Sequence, residues 1–340
     1  MKHLILLVFL IVSSITAYAE PTAKVTIVVV DVKGVPIKNA SAGVVFAPEN
    51  FKEGLTDRNG LFQVSGRHES RVYVPIGYKI YYFASAEGYY SSKSHVYDYF
   101  STFKGIRGSR TWEPWNPRLK ITLKKKIDPI PMYAYFADWI KVAKQDEFLG
   151  YDLVKHDWVP PYGHGVISDF IFKIEKNTSK SNEVEERLSI TFSNKDDGLQ
   201  DFFFKEERMP RSIYKEKIEG RFLSSSQNAP INGYHNKLEH LVSKIVSIRK
   251  FNESTITSYL IDSGLAHYYI EDGTNYYFRV RCTDDKKESC LYGKIYGNFD
   301  FKSNTVRFKY FLNPSMGDTN IEFDPEQNLF KNLKNAIITP

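Results

Sequence analysis

Short apolar runs separated by turn residues recur along the first third of the chain. Residues 25–32 form a nearly unbroken apolar run, and the Lys-Gly pair at 33–34 after it is typical of a tight turn. Residues 41–46 are small and apolar, as in a central strand, and the Asn-Gly pair within residues 57–60 favours a hairpin. Further strands are predicted at residues 61–66, 71–74, 79–86 and 119–123. About seven short strands with turns between them favour an antiparallel β-sandwich.

The second part of the chain shows the same alternation less regularly. Strands are predicted at residues 168–175, 187–194, 276–282, 291–299 and 305–312. One helix is predicted at residues 234–249, because apolar residues recur there at helical spacing; they are Leu238, Leu241, Val242, Ile245 and Ile248. Residues 177–186 and 224–232 are rich in Ser, Asn and charge, and we expect exposed loops there.

A proline-rich segment marks the predicted domain boundary. Pro129 and Pro131 stop both a helix and a central strand, so one fold is expected to end near residues 127–131. The predicted organisation is a β-sandwich at residues 24–126, a Pro linker at 127–131 and a second domain at 132–340. We therefore predict a mainly β protein, in which the second domain is mostly β with one helix.

The first nineteen residues have the pattern of a signal peptide. Lys2 and His3 precede an apolar run at residues 4–12, and Ala17-Tyr18-Ala19 provides a small-x-small cleavage site. The apolar run is far shorter than the ~20 residues of a membrane-spanning helix. The sequence thus predicts export to the periplasm or secretion, with a mature chain that starts at Glu20 and has no membrane span.

The charge balance limits the class of partner. The 46 basic and 40 acidic residues give a formal net charge of +6, and they are dispersed along the chain. So weak and scattered a charge does not indicate a nucleic-acid-binding protein. The aromatic residues at 91–118 instead favour recognition of a glycan or of another envelope or secreted protein.

Two cysteines flank a polar turn between strand-like runs. Cys282 and Cys290 are separated by seven polar or charged residues, and the runs on either side alternate as strands do. In an oxidising compartment these cysteines can bridge the ends of a hairpin. They do not form a C-x-x-C metal pattern, so a disulfide is the prediction.

Three segments of the first domain resemble a known module. Residues 31–40 (DVKGVPIKNA), 56–62 (TDRNGLF) and 86–89 (AEGY) together resemble the carboxypeptidase regulatory-like domain, a transthyretin-like sandwich with an Ig-like layout. The resemblance implies an accessory module that packs beside another domain and carries no catalytic residues. Residues 150–172 of the second domain resemble a segment of uncharacterised secreted bacterial proteins, and no activity follows from that resemblance.

A long aromatic insertion interrupts the first domain at residues 91–118. The segment contains many aromatic residues, interleaved with lysine and arginine. So many aromatic residues argue against disorder. One interpretation is a binding platform for a glycan or a partner protein, formed by Tyr97, Tyr99, Trp112 and Trp115. The alternative is that the rings cover an interface with the second domain.

The densest cluster of histidines and aspartates lies early in the second domain. Asp152, His156, Asp157, His164 and Asp169 fall within eighteen residues that also include two glycines. If the loop folds back on itself, His156, His164 and Asp169 are candidate catalytic residues of an acid-base or metal site. The alternative is a loop whose aspartates bind backbone groups while the histidines face solvent.

Other motifs of catalysis and metal binding are missing or incomplete. None of the eight histidines has Glu three residues later, and the segment from His235 to His240 has one residue too many for a zinc peptidase motif. No Gly-x-Ser-x-Gly and no Gly-rich phosphate loop is present. Residues 318–324 place oxygen-bearing side chains at alternate positions, but without the EF-hand Gly and Glu we predict an amphipathic edge strand. Neither a metal nor a cofactor is predicted.

Three functions remain open from the sequence. The first is an exported, non-catalytic protein that binds a ligand or partner through an accessory β-sandwich and a second β domain. The second is a hydrolase with a His/Asp site in the second domain. The third is a structural protein of the cell envelope.

Overall fold

The structure is a computed structural model. It describes residues 22–47, 49–67, 80–96, 115–178, 183–203, 225–245, 267–268, 274–283, 289–302, 304–331 and 333–337. The predicted signal peptide, the strand predicted at residues 71–74, and Tyr97, Tyr99 and Trp112 lie outside the described residues. The described residues form two compact units, one ending at Lys126 and the other beginning at Ile127.

The first unit is built from seven described strands in two sheets. The strands are β1 (Thr22–Asp31), β2 (Ser41–Ala47), β3 (Asn50–Leu55), β4 (Leu61–Arg67), β5 (Ile80–Ser85), β6 (Ser92–Val96) and β7 (Arg118–Leu123). Sheet A has the order β4-β1-β7, and sheet B has the order β3-β2-β5-β6. Strand β1 pairs antiparallel with β4 and parallel with β7, so the first and last strands of the unit lie side by side.

The core of the first unit follows from the period-two pattern. Alternate residues of β1 point inward, and Val25, Ile27 and Val29 are fully buried. They share one hydrophobic cluster with Val44 of β2 and Ile121 of β7 and with inward residues of β5. Because the cluster joins residues of both sheets, the first unit is a β-sandwich.

The turn at residues 57–60 connects the two sheets of this sandwich. The Asp57 carboxylate accepts hydrogen bonds from the backbone N–H groups of Asn59 and Leu61, at 2.8 and 2.9 Å. Gly60 has φ of +71°, which glycine adopts at little cost. The sequence predicted a hairpin at this turn. The prediction is wrong, because β3 pairs with β2 whereas β4 pairs with β1.

The second unit contains twelve described strands. They are β8 (Tyr133–Lys141), β9 (Leu149–Asp152), β10 (Asp157–Trp158), β11 (Phe170–Thr178), β12 (Glu183–Thr191), β13 (Gly198–Phe203), β14 (Lys237–Ile245), β15 (His267–Tyr268), β16 (Thr274–Val280), β17 (Leu291–Ile295), β18 (Asp300–Lys302) and β19 (Thr305–Leu312). A short 3₁₀ turn, Pro325–Gln327, follows. Sheet C has the order β10-β9-β11-β12-β14-β15; sheet D has the order β13-β16-β17-β19-β18, and β8 also pairs with β19.

Aromatic rings fill the space between sheets C and D. Phe170 and Phe172 of β11 are fully buried, and Phe278 of β16 and Phe308 of β19 meet them from the other sheet. The ring centroids of Phe170 and Phe278 are 5.3 Å apart and those of Phe172 and Phe308 are 5.5 Å apart. Such contacts add to the stabilisation from apolar burial. The mainly β prediction is confirmed for both units.

The helix predicted at residues 234–249 is wrong over its described part, residues 234–245; residues 246–249 lie outside the described residues. The chain forms β14 there, which pairs antiparallel with β12 from Lys237 opposite Thr191 to Ile245 opposite Glu183. The local helical spacing is overridden here, because β12 supplies backbone partners along nine residues. The loop predicted at residues 177–186 is strand at its described residues, 177–178 and 183–186, and Thr178 of β11 pairs with Val184 of β12; residues 179–182 lie outside the described residues.

Within the described part of the chain, no helix is both long and apolar enough to cross a membrane.

Candidate functional site

The residues that the sequence marks as a candidate site form one loop of the second unit. This 152–169 loop starts at the end of β9, includes the short strand β10 and ends where β11 begins. Its backbone is closed by hydrogen bonds from Gly165 N–H to the Trp158 carbonyl at 2.8 Å and from Val159 N–H to the Gly150 carbonyl at 2.9 Å. The conformation of the loop is therefore fixed by backbone hydrogen bonds as well as by the strands at its two ends.

Asp152 holds both ends of the loop. One carboxylate oxygen accepts backbone hydrogen bonds from Val154 and Lys155, at 2.9 and 3.0 Å. The other accepts hydrogen bonds from Val166 and Ile167, at 2.8 and 3.0 Å. Burial alone would raise the pKa of Asp152, but these backbone donors and a nearby guanidinium outweigh it, so its pKa lies below the usual value. Asp152 is thus a charged structural anchor.

Asp169 lies beside Asp152 and is almost completely buried, with 1% of its surface exposed. Its carboxylate accepts two hydrogen bonds from Arg281, both at 2.8 Å, and one from the Leu153 backbone at 2.8 Å. The same guanidinium also donates to Asp152 at 2.9 Å. Burial raises the pKa of Asp169 despite the hydrogen bonds and charge of Arg281. One guanidinium therefore bridges two buried aspartates.

Arg281 reaches this pair from the opposite sheet. It follows β16 of sheet D, whereas Asp152 ends β9 and Asp169 directly precedes β11, both strands of sheet C. The carboxylate of Asp197 fixes the backbone there, accepting the N–H of Arg281 at 3.3 Å and that of Cys282 at 3.0 Å. Burial raises the pKa of Asp197 to about 6. The result is an ionic and hydrogen-bonded link between the two sheets.

Sequence reasoning missed Arg281 and Asp197. The one local signal for Arg281 is a charged residue between the buried strand β16 and a disulfide cysteine, where an apolar or turn residue is the usual choice. Its φ of +57° is a second signal, but only the structure shows it. Cys282 and Cys290 form the predicted disulfide, and β16 and β17 form the predicted hairpin.

His164 pairs with Asp157 at the surface of the loop. One oxygen of the Asp157 carboxylate accepts the backbone N–H of His164 at 2.8 Å and lies 3.4 Å from its ring Nδ1. The His164 side chain is 99% exposed. The other carboxylate oxygen accepts the N–H of Trp158 at 2.8 Å. A side chain at Gly163 would collide with the Asp157 carboxylate and with the Trp158 carbonyl, so glycine is needed at this position.

His156 has a different environment from the other two candidates. Its ring stacks on Tyr135, with centroids 5.0 Å apart, and meets the edge of Phe330 at 5.3 Å. Asp169 is enclosed with Arg281, and the His164 ring faces solvent. The structure thus joins Asp152 with Asp169 and Asp157 with His164, and it places His156 against an aromatic surface. Among the residues described, no group of three or more His, Cys, Asp or Glu side chains is placed to hold a metal ion.

The segment 318–324 is not the amphipathic edge strand that the sequence predicted. Asn320 and Glu322 are buried, as are Ile321 and Phe323, so both sides of the segment are covered. The Glu322 carboxylate accepts the backbone N–H groups of Ile127 at 3.1 Å and of Asp128 at 2.7 Å. Alternate polar residues are needed here to satisfy the backbone of the segment that begins the second unit.

Trp115 is the one member of the predicted aromatic platform that lies within the described residues. Its side chain is 47% exposed. The adjacent Asn116 anchors it to β1, because the Asn116 N–H donates to the Lys24 carbonyl at 3.0 Å and its side chain accepts from Thr26 at 2.8 Å. The platform itself stays a prediction.

The comparisons with known proteins add little. No family model matches the chain. No curated protein matches it either. Among solved structures, 3-chlorocatechol 1,2-dioxygenase from Rhodococcus opacus 1CP is 15% identical with a TM-score of 0.24, over 32% of this chain and 62% of the dioxygenase chain. A DUF3823 family protein from Parabacteroides merdae ATCC 43184 is 5% identical with a TM-score of 0.19, over 90% of this chain and 100% of that chain. At such TM-scores neither similarity supports a conclusion about fold or function.

Proposed function

We propose that this chain is an exported, non-catalytic protein that binds a partner protein through the 152–169 loop of its second unit. The observation that carries the proposal is that the aspartates of the loop hold its backbone in place. The carboxylates of Asp152, Asp157 and Asp169 accept backbone N–H groups of the loop, and two of them also bind Arg281. Carboxylates so occupied fix a loop conformation rather than react with a substrate.

The side chains that the loop displays suit recognition. Val166 is 73% exposed and Ile167 is 40% exposed, although the backbone N–H groups of both are held by Asp152. Pro160 and Pro161 are exposed at another part of the same loop. A loop already fixed in one conformation loses little entropy when it binds, so its apolar side chains can contribute more to affinity.

Export and the accessory role of the first unit complete the proposal. The signal-peptide pattern of residues 1–19 supports export. The Cys282–Cys290 disulfide is consistent with an oxidising compartment. The resemblance of residues 24–126 to a carboxypeptidase regulatory-like domain supports a role in which the first unit assists the second and performs no chemistry.

A photo-crosslinking amino acid placed at Val166 of the full chain, expressed in its native host, tests the partner. We expect one discrete adduct from position 166 and none from Met316, a matched position that is 51% exposed in the same unit. Replacing Ile167 with Ser should weaken the adduct without changing the melting temperature. Equal adduct patterns at positions 166 and 316, or no adduct at 166, would reject the proposal.

A hydrolase is the second candidate function, favoured by one observation. The Asp157 carboxylate lies 3.4 Å from Nδ1 of His164, and the His164 ring is open to solvent, as a general base requires. The test is hydrolysis of a panel of ester, peptide and glycoside substrates, with the metal content of the protein measured in parallel. If His156→Ala and His164→Ala leave any observed activity and the metal content unchanged, the hydrolase reading is rejected.

A further inference from the structure

An irregularity in sheet D exposes a tryptophan in an unusual backbone conformation. Strands β8 and β19 pair in register until Phe308 lies opposite Ala137, and they resume with Val306 opposite Ile140. Two residues of β8, Asp138 and Trp139, therefore oppose the single residue Arg307, which defines a β-bulge. Trp139 has φ of +49°, in the left-handed region.

This conformation is costly for a large side chain. Left-handed backbone angles suit glycine and asparagine, and a bulky residue in this region is an outlier. Burial does not offset the cost in full, because Trp139 is 42% exposed. A bulge can protect an edge strand from aggregation, but glycine would make the same bulge with less strain. A strained and exposed tryptophan therefore indicates a role for the indole itself.

A guanidinium contacts the indole, and further charged groups lie beside that guanidinium or beside the neighbouring Phe136. The Arg307 guanidinium carbon lies 5.5 Å from the centroid of the Trp139 ring and 4.9 Å from that of Phe136. Asp138 pairs with Arg307 at 3.1 Å. The Lys309 ammonium lies 5.0 Å from the Phe136 centroid. We call these five residues the Trp139 surface.

The chemistry of the Trp139 surface selects one class of ligand. A flat exposed ring can stack on the apolar face of a sugar. A carboxylate can accept hydrogen bonds from sugar hydroxyl groups, and a guanidinium beside it can donate hydrogen bonds to them. The charge of Arg307 is compensated by Asp138 and by Asp300, which lies 4.0 Å from Arg307. Such a balance does not favour a phosphate-rich or otherwise anionic ligand. We infer that the Trp139 surface is a binding site for a neutral carbohydrate.

A glycan microarray probed with the full mature chain tests the inference. The array carries neutral oligosaccharides together with sulfated and sialylated ones. We expect binding to at least one neutral glycan, and at least a tenfold loss of affinity for it in Trp139→Ala. Phe148→Ala, which removes a different exposed aromatic ring of the same unit (59% exposed), should bind as the wild type does.

Two further variants separate binding from folding. Trp139→Gly removes the ring and relieves the left-handed strain, so its melting temperature should equal or exceed that of the wild type while binding is lost. Trp139→Phe keeps an aromatic face and should retain part of the affinity. The inference is overturned if no neutral glycan binds, if binding is confined to anionic glycans, or if Trp139→Gly binds as the wild type does.

The site is independent of the proposed partner-binding loop. A change at Ile167 should leave carbohydrate binding intact, and Trp139→Ala should leave the adduct at position 166 intact. Failure of either proposal is therefore distinguishable from failure of the other.

Discussion

Replacing Arg281 with methionine removes the cation that lies between two buried carboxylates of the second unit. Methionine keeps an unbranched side chain of similar length, so the change removes the charge and the hydrogen bonds more than the packing. Asp169 loses two of the three hydrogen bonds described for its carboxylate. Asp152 loses one and keeps four backbone donors. The destabilisation should therefore arise mainly at Asp169.

The expected loss of unfolding free energy at pH 7 is about 3–5 kcal/mol, the range for removing one partner of a buried ion pair. Asp169 is 1% exposed, so water cannot replace the guanidinium without local opening. Adding Asp169→Asn to Arg281→Met should recover about 1–2 kcal/mol, because the double variant no longer buries an unpaired charge.

The loss should depend on pH in a defined direction. Burial already raises the pKa of Asp169, and removing Arg281 removes the groups that lower it. A carboxyl whose folded pKa lies above its unfolded pKa stabilises the fold when protonated, and this contribution is lost as pH rises through the folded pKa. The deficit of Arg281→Met should thus shrink as the pH falls from 7 towards 5, by at most about 1.4 kcal/mol per pH unit.

Urea unfolding under non-reducing conditions, followed by circular dichroism and fluorescence at pH 7 and pH 5, measures these differences. Arg307→Met is a matched control, because Arg307 pairs with carboxylates at the surface with 38% of its side chain exposed. Its cost should stay below about 1 kcal/mol. A deficit for Arg281→Met no larger than that of the control, or one that does not shrink at pH 5, would refute the assignment of Arg281 as the link between the sheets.

Three more changes test other features of the second unit. The contribution of Asp197 to wild-type stability should fall by about 2–3 kcal/mol as pH rises from about 4 to 6 through its raised pKa, and Asp197→Asn should remove this part of the pH dependence in urea titrations. Glu322→Ala leaves two backbone N–H groups without their acceptor and should cost about 2–4 kcal/mol; trypsin should then cleave after Lys126 faster than in the wild type, and an unchanged cleavage rate would contradict this role. Replacing Cys282 and Cys290 by Ser opens a loop with a sequence separation of 8, which should cost about 2.5 kcal/mol while the far-ultraviolet spectrum stays that of a β protein.

The sequence by itself determined the strands whose burial follows a local period. The inward side chains of β1, β7 and β19 alternate along the chain, so the mainly β class could be predicted without a structure. The Cys282–Cys290 hairpin was predictable for the same reason, because its two strands adjoin the cysteines that close a short loop.

Only the tertiary structure decided which distant groups meet. Strand β14 has a helical apolar spacing, and its pairing with β12 made it a strand. Arg281 binds Asp169 across 112 residues, and Glu322 binds Ile127 across 195. Periodicity reports which face of an element is buried, but it carries no information on the partner that covers that face or satisfies a buried charge. For that reason the aspartates of the 152–169 loop were visible in the sequence, whereas the arginine of the opposite sheet that pairs with Asp152 and Asp169 was not.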